Sequence, residues 1–380
     1  MTARVAGIAP GDPFAVKTFS GISAGLLGAM RDQGALVGAV NGFPRWLRRV
    51  EQVASFERDR TRWRQRFHAG ISPVGPLVRE GMSTVARRRV ARVVGEHHAN
   101  TVLQLTGWYR PAVPDVLRAS YHDGNLASYL DRPDLGVDRD SGSVRRLLAW
   151  ERRLYDETDV IFTMSEWLRQ TFVEEFGQSP DKVVAVGGGT DLPQVANALE
   201  RAWDPPCFLF VGRDFERKGG RELLRAWRAV HAARPEAELV IVGPRWIAQE
   251  LPAGVTLAGP IDRSTEAGEI AFVNAYRRAT AFVMPSLYEP FGIVLLEAMM
   301  HGLPCVTADR CAMPEIVEDR VTGRVVEPTD PDALAAALLE VADPDTARRM
   351  GAAGERRLNE RFTWPAVADR ILAELAARLG

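Results

Sequence analysis

Short apolar runs recur through the second half of the chain, and helix-like segments separate them. Cys207-Phe-Leu-Phe-Val211 ends at Gly212, and Glu238-Leu-Val-Ile-Val242 ends at Gly243. Between them Leu223, Leu224, Trp227 and Val230 recur at helical spacing. Residues 256–259, 281–286, 304–308 and 323–327 continue the series. Largely apolar runs, rather than alternating ones, suit strands covered on both faces. Interleaved with helices, they predict a parallel, doubly wound sheet. The first half repeats the theme less regularly. Residues 4–9 predict a first strand, a helix follows over about 22–31, and 101–106, 116–120, 160–164 and 183–186 predict later strands.

Gly187-Gly-Gly189, Pro193 and Pro205-Pro206 interrupt every regular pattern. Two Rossmann-like α/β domains are therefore predicted, 1–190 and 207–361, joined by a linker over 191–206. A chain of 380 residues is long enough for two cores. Phe362-Thr-Trp-Pro365 followed by Val367, Ile371, Leu372 and Leu375 predicts an amphipathic helix over 362–380. Two such domains suggest a ligand cleft between them, at the carboxyl ends of the strands.

Composition narrows the function. Hydrophobic residues at 46% and charged residues at 26% exclude a disordered or coiled-coil chain. Lys+Arg 48 against Asp+Glu 49 argues against bulk nucleic-acid binding. Cys207, Cys305 and Cys311 follow no ligand spacing, which speaks against a zinc site or a disulfide framework. The first apolar stretch stops at Pro10-Gly-Asp-Pro13, short of a signal peptide, and nothing approaches the ~20 apolar residues of a spanning helix. A cytoplasmic location is expected.

Two motifs carry chemistry. Val211-Gly-Arg213-Asp-Phe-Glu-Arg-Lys218-Gly219-Gly220 follows a strand directly. Its glycines let a ligand approach the backbone, the next helix N-terminus attracts anions, and Arg213 and Lys218 add cations. Lysine is scarce here, with only three in the chain, and a compact point charge suits phosphate. A polar loop with incidental charges is the competing reading. In the second motif, Glu289-Pro-Phe-Gly292-Ile-Val-Leu-Leu-Glu297, the glutamates are eight apart. They would stand about 80° apart on one helix, so they share no face. Pro290 and Gly292 instead place the helix start after Glu289. Glu289 then precedes the N-terminus and Glu297 lies about a turn and a half inside it. The amides of Phe291 and Gly292 are free to bind hydroxyls or phosphate. A capped core helix burying Ile293, Val294 and Leu296 is the bland alternative, and it leaves the two carboxylates unexplained.

Taken together, Arg213, Lys218, Glu289-Pro-Phe-Gly and Glu297 resemble the family-4 (group 1) retaining glycosyltransferases of GT-B fold. The resemblance continues through His301-Gly-Leu-Pro-Cys-Val, Pro314-Glu-Ile-Val and Gly323-Arg-Val-Val. In the first half it is weaker: Phe19-Ser20-Gly21-Ile22, Tyr121-His122-Asp-Gly-Asn125, Ser165-Glu-Trp-Leu-Arg and Asp181-Lys-Val-Val. Gly188-Gly189 stands where many members carry Asn-Gly. The resemblance implies two Rossmann-like domains facing across a cleft, with the last helix crossing back to the first. It implies a nucleotide-diphosphate sugar bound mainly by the second domain and an acceptor on the side of the first. Arg213 and Lys218 would neutralise the departing diphosphate. Glu289, with Pro290, Phe291, Gly292 and Ile293, would hold the donor sugar, and Glu297 the ribose hydroxyls. Gly21 would lie against the diphosphate, with Ser20 also on the substrate-binding side, His122 near the sugar, and Ile261 beside the base. No cofactor and no metal are implied, since the cations serve the leaving group.

Other readings stay in view. An NAD-type oxidoreductase would want G-x-G-x-x-G after the first strand, where Pro10-Gly-Asp-Pro13 stands. A nucleotide-sugar-binding protein without catalysis would bind donor and not turn it over. Asp138-Arg-Asp140, Asp330-Pro-Asp332 and Asp343-Pro-Asp345 match a metal-binding DxD, but read better as turns and helix starts. His97-His98 has no partnering ligand and reads as a polar helix end. Residues 45–66 carry eight arginines with Trp46, Phe56 and Trp63. A solvated excursion is the favoured reading, and weak contact with an anionic membrane surface, at the inner face, is the alternative. Donor base, donor sugar and acceptor (small molecule, lipid carrier or glycan) are not legible.

Overall fold

In the computed structural model the described residues are 1–15, 18–56, 58–59, 63, 66–67, 70–132, 135–190 and 201–380, with Arg45 described by its backbone alone. The chain forms two units. One holds Met1–Asp191 and Thr363–Gly380, the other Leu192–Phe362. Of the expected linker over 191–206, residues 191–200 lie outside the described ones.

The first unit carries a parallel sheet ordered β2-β1-β3-β4-β5-β6. Its strands are β1 (Val5–Ala9), β2 (Leu36–Asn41), β3 (Thr101–Leu105), β4 (Leu117–His122), β5 (Val160–Thr163) and β6 (Val183–Ala185). Strand β2 was not expected. Gly38 breaks its apolar run, yet the residue must be small, because a Cβ there would sit 2.7 Å from Val93 Cγ1. Val93 belongs to the long helix Gly75–His97, which covers this end of the sheet with Val78, Met82, Ala86 and Val90 buried against Ala6 and Ile8. Nine of that helix's contiguous residues, Val85–Val93, include four arginines, so its apolar stripe is diluted in the sequence. On the opposite side Trp150, Leu154 and Tyr155 of helix Gly142–Glu157 pack on Ile161, Phe172 and Phe176.

The last helix, Trp364–Arg378, belongs to this first unit. Trp364 packs closely against two glycines. A Cβ on Gly25 would come within 2.0 Å of its indole, and one on Gly189 within 2.6 Å. Gln33 donates to Asp369 at 2.8 Å, and Arg370 Nε donates to the Val186 carbonyl at 2.8 Å.

The second unit carries β7 (Cys207–Val211), β8 (Glu238–Val242), β9 (Val255–Gly259), β10 (Ala281–Met284), β11 (Cys305–Ala308) and β12 (Gly323–Val326). All pair in parallel in the order β12-β11-β10-β7-β8-β9. Strand β10 is buried throughout and β7 at all but its last residue, which explains their unbroken apolar runs, whereas β9 at the edge alternates half-buried and exposed positions. Phe208, Phe210, Trp227, Leu239, Ile241 and Leu338 anchor the core on one face. The order in which strands are added switches sides between β7 and β10, so the loops after these two parallel strands open at the sheet's topological switch point. Those loops are Gly212–Gly219 and Pro285–Gly292, which hold both motifs.

Candidate functional site

The loop after β7 is tied down by glycines. Gly219 has φ 75°, and a Cβ there would lie 1.9 Å from the Pro285 carbonyl oxygen, so only glycine lets the two switch-point loops touch. It caps the helix Gly220–Ala233. Gly212 accommodates the stem of Lys218, whose Cδ would be 2.2 Å from an added Cβ. The lysine thus runs across its own turn and is buried, with 9% of its surface exposed.

That burial delivers the Lys218 ammonium to Glu289, Nζ to Oε2 at 3.1 Å. Arg217 reaches the same oxygen at 3.3 Å and also donates to the Tyr288 carbonyl. Burial alone would raise the Glu289 carboxyl, but Lys218 and then Arg217 outweigh it and hold the group below the ordinary carboxylate range. Arg213 differs. It is exposed, and it makes no ion pair among the described residues. Of the two cations expected at the diphosphate, one is thus sequestered and the other faces solvent.

Helix Ile293–Met300 begins after Gly292, whose φ of 95° caps it. Glu289 and Pro290 precede the helix on the loop, Phe291 is buried, and Ile293 is the first helical residue. The amides around Gly292 are the unpaired donors of a helix N-terminus. Further along, Glu297 is fully inside. Its Oε2 accepts from the Tyr276 hydroxyl at 3.1 Å and its Oε1 pairs with Arg263 at 3.1 Å. Burial dominates here and raises the Glu297 carboxyl despite Arg263 and the Tyr276 hydrogen bond. Arg263 also stacks over Phe272 at 4.3 Å and binds Glu269. Ile261 lies two residues before it, half-buried, on the loop after β9. The Glu297 pair thus fixes the loop that carries Ile261.

Three predicted residues belong to the first unit. Phe19, Ser20 and Gly21 take φ values of 51°, 53° and 86°, a left-handed run directly ahead of the helix Ile22–Asp32. For Phe19 and Ser20 such conformations cost on the order of 1–3 kcal/mol each. Ser20 is exposed and Gly21 buried. The expectation that this strand, β4, ends at 120, ahead of His122, is corrected. His122 pairs with Thr163 and is the strand's last residue. The ladder carries its ring into the core, where it meets Phe172 at 5.0 Å and Tyr155 at 5.6 Å. Neither ring nitrogen has a hydrogen-bond partner among the described residues, and burial pushes the pKa down to about 3.

Sequence reasoning missed Arg217, Arg263 and Tyr276. Arg217 stands inside the quoted motif, but nothing in one dimension separates it from Arg213. His301 stacks on Tyr276 at 5.0 Å, and neither of its ring nitrogens has a partner among the described residues. The backbone carbonyl of His301 accepts from Arg201. The DxD aspartates have local tasks. Asp330 and Asp343 cap helices, and Asp138 accepts from the Asp140 amide at 2.9 Å. His97 and His98 close the helix Gly75–His97, and their carbonyls accept from Arg4. Among the described residues no group of three His, Cys, Asp or Glu side chains is placed to hold a metal ion.

Residues 194–357 match the glycosyl transferases group 1 family. The chain is 30% identical over 286 residues to a glycogen synthase of Mycobacterium tuberculosis, covering 71% of this chain and 67% of that protein. This chain belongs to the group 1 glycosyltransferases. It is also 32% identical over 261 residues to an alpha-maltose-1-phosphate synthase of Mycolicibacterium smegmatis, covering 61% of this chain and 66% of that one. Sucrose-phosphate synthase from Thermosynechococcus elongatus superposes with a TM-score of 0.67 at 20% identity, over 99% of both chains. The fold of this group 1 glycosyltransferase is GT-B, and its activity is transfer of a sugar from a nucleotide-diphosphate donor to an acceptor.

Proposed function

We propose that this enzyme is a family-4 transferase that retains the anomeric configuration, with its donor site at the switch point of the second unit. Arg213 and Lys218 receive the diphosphate. Glu289 and the amides of Phe291 and Gly292, flanked by Pro290 and Ile293, hold the donor-sugar hydroxyls. Glu297 takes the ribose hydroxyls, and the loop of Ile261 meets the base. Ser20 and Gly21 are assigned to the diphosphate, whereas His122, its ring enclosed in the core at the end of β4, is given no direct contact with the sugar. The observation that carries this reading is the pairing of a half-buried carboxylate with the buried Lys218 beside an exposed Arg213 that pairs with no carboxylate among the described residues.

The chemistry follows from charge. A nucleotide-diphosphate sugar, itself a dianion, breaks toward an oxocarbenium ion and a trianionic nucleoside diphosphate. Preorganised cations and helix amides stabilise that growing charge at no reorganisation cost. Glu289 is engaged by two cations, which leaves it a poor covalent nucleophile. Attack from the leaving-group side, with the departing phosphate accepting the acceptor's proton, therefore suits this site better than the two-carboxylate route of hydrolases. The two cations also remove the need for a divalent ion. A panel of UDP-glucose, ADP-glucose, GDP-glucose and GDP-mannose, scored for nucleotide diphosphate release with and without chelator, tests the reading. Release that survives chelation is expected. Complete, metal-reversible loss would overturn metal independence, and release from no donor would favour a binding protein.

A cytoplasmic enzyme is proposed, with one surface suited to anionic lipid. On helix Arg45–Ala54, Leu47 and Glu51 face inward while Trp46, at 60% exposure, and Val53, at 76%, face solvent with Val50 between them. Phe56 follows at 67% exposure, and Arg48 and Arg49 flank the stripe. The rest of the 45–66 segment lies largely outside the described residues. Cosedimentation with phosphatidylglycerol vesicles, and not with phosphatidylcholine vesicles, is expected. Recovery with neither would show this face to be merely solvated.

A further inference from the structure

Arg217 has no role in the proposed donor site, yet it joins the two switch-point loops at several points. Its backbone carbonyl accepts from the Leu287 amide at 2.9 Å. Its Nε binds Asp214 at 3.0 Å, and its Nη1 reaches both the Tyr288 carbonyl and Glu289 Oε2, the latter at 3.3 Å. A planar fork held at three points is fixed in direction in a way that a lysine is not.

The two cations on Glu289 have different futures. Lys218 sits on a single carboxylate oxygen, with Met284 Sδ as its other neighbour at 3.4 Å. A donor diphosphate brings a stronger claim on that ammonium. Arg217 has no such alternative, because its remaining contacts are protein groups. When Lys218 turns to the diphosphate, Arg217 is the charge left facing Glu289.

We propose that Arg217 is a positioning residue, which keeps Glu289 ionised and aimed at the donor sugar in the loaded enzyme. The inference rests on the assignment of Lys218 to the diphosphate and Glu289 to the sugar. Its physical core is that a carboxylate with only 17% of its side-chain surface exposed stays charged most readily with a partner. From the loop after β7 the groups facing Glu289 are Lys218 and Arg217, the latter backed by Asp214. The helix that follows its loop carries Glu297, which Lys218 also influences. Burial already pulls the Glu289 carboxyl upward, and the cations reverse this. With Lys218 shared and Arg217 absent, burial prevails and the carboxyl takes up a proton.

The test follows the carboxyl itself. Full-length protein labelled with carboxyl-13C glutamate is saturated with inorganic pyrophosphate, which stands for the leaving group, and titrated by NMR. The Glu289 resonance is assigned by its loss in Glu289→Gln. In Arg217→Gln that resonance should titrate at least one pH unit higher than in the unmodified protein, a tenfold change in acid constant. Arg217→Lys, which keeps a charge but loses the fork, should fall between, and Arg221→Gln, a surface residue paired with Glu216, should not move it. A merely structural role would lower the melting temperature and leave the titration in place, and that result overturns the proposal. Failure of pyrophosphate to bind would instead overturn the assignment of Lys218. Full transfer by Glu289→Gln would overturn the assignment of Glu289.

Discussion

Lys218 and Arg213 stand five residues apart in one loop and live in opposite environments. Lys218 is buried against a carboxylate, while Arg213 is exposed and pairs with no carboxylate among the described residues. Replacing Lys218 therefore disturbs both folding and charge balance, whereas replacing Arg213 disturbs only what the loop binds. Glu289→Gln tests sugar positioning beside a cationic transition state. It keeps the shape and drops the charge, so transfer should fall sharply while nucleotide binding persists through Glu297. Calorimetry showing equal loss of nucleotide affinity would contradict that division. His122 offers a separate test through pH. Its pKa falls from an ordinary 6.5 to about 3 on folding, so the folded protein holds the ring neutral. That contribution is complete above pH 6.5 and is lost progressively as pH falls toward 3. His122→Phe should flatten the decline of stability across this window by up to about 1.4 kcal/mol per pH unit. Parallel melting-temperature profiles for the two proteins would show that His122 is not the group responsible.

Among the elements, the central strands of the second unit were legible because burial on both faces writes itself as unbroken apolar runs, as in Cys207–Val211 and Ala281–Met284. Strand Leu36–Asn41 was not, since its Gly38 is demanded by Val93 across the fold and not by the strand itself. The two motifs were legible as motifs, and so was the helix start after Gly292. The partners that set their electrostatics were not. Arg263 and Tyr276 reach Glu297 from 34 and 21 residues away, and no local pattern marks either. Gly219 joins both levels, for it is required by its own φ and by the neighbouring loop. Gly219→Ala should cost about 1–2 kcal/mol for the left-handed backbone, with the collision against Pro285 in addition. Gly259→Ala isolates the first contribution, because Gly259 has φ 74° with nothing within 4 Å of an added Cβ among the described residues. Thermal melting should therefore rank Gly219→Ala clearly below Gly259→Ala. Equal melting points would mean that the two loops do not need their close contact.

Across the whole molecule, two sheets of six parallel strands present loops at their switch points, and the second sheet gathers there the residues assigned to the donor. The last helix returns the chain to the first unit, where Trp364 packs on Gly25 and Gly189. Family membership fixes sugar transfer as the activity, and the arrangement of charge at the second switch point gives that activity its physical basis. The most direct test is the turnover of Arg213→Ala with whichever panel donor the unmodified enzyme uses, measured beside Arg310→Ala. Arg310 is paired with Glu327 on the surface and serves as the neutral comparison. Because Arg213 is exposed and holds no carboxylate among the described residues, its loss should leave the melting temperature unchanged. Turnover should nevertheless fall roughly 100- to 1,000-fold, with a smaller loss in donor affinity, since the charge it meets grows as the bond breaks. Turnover of Arg213→Ala equal to that of Arg310→Ala would contradict the diphosphate site, and with it the claim that these cations stabilise the departing charge.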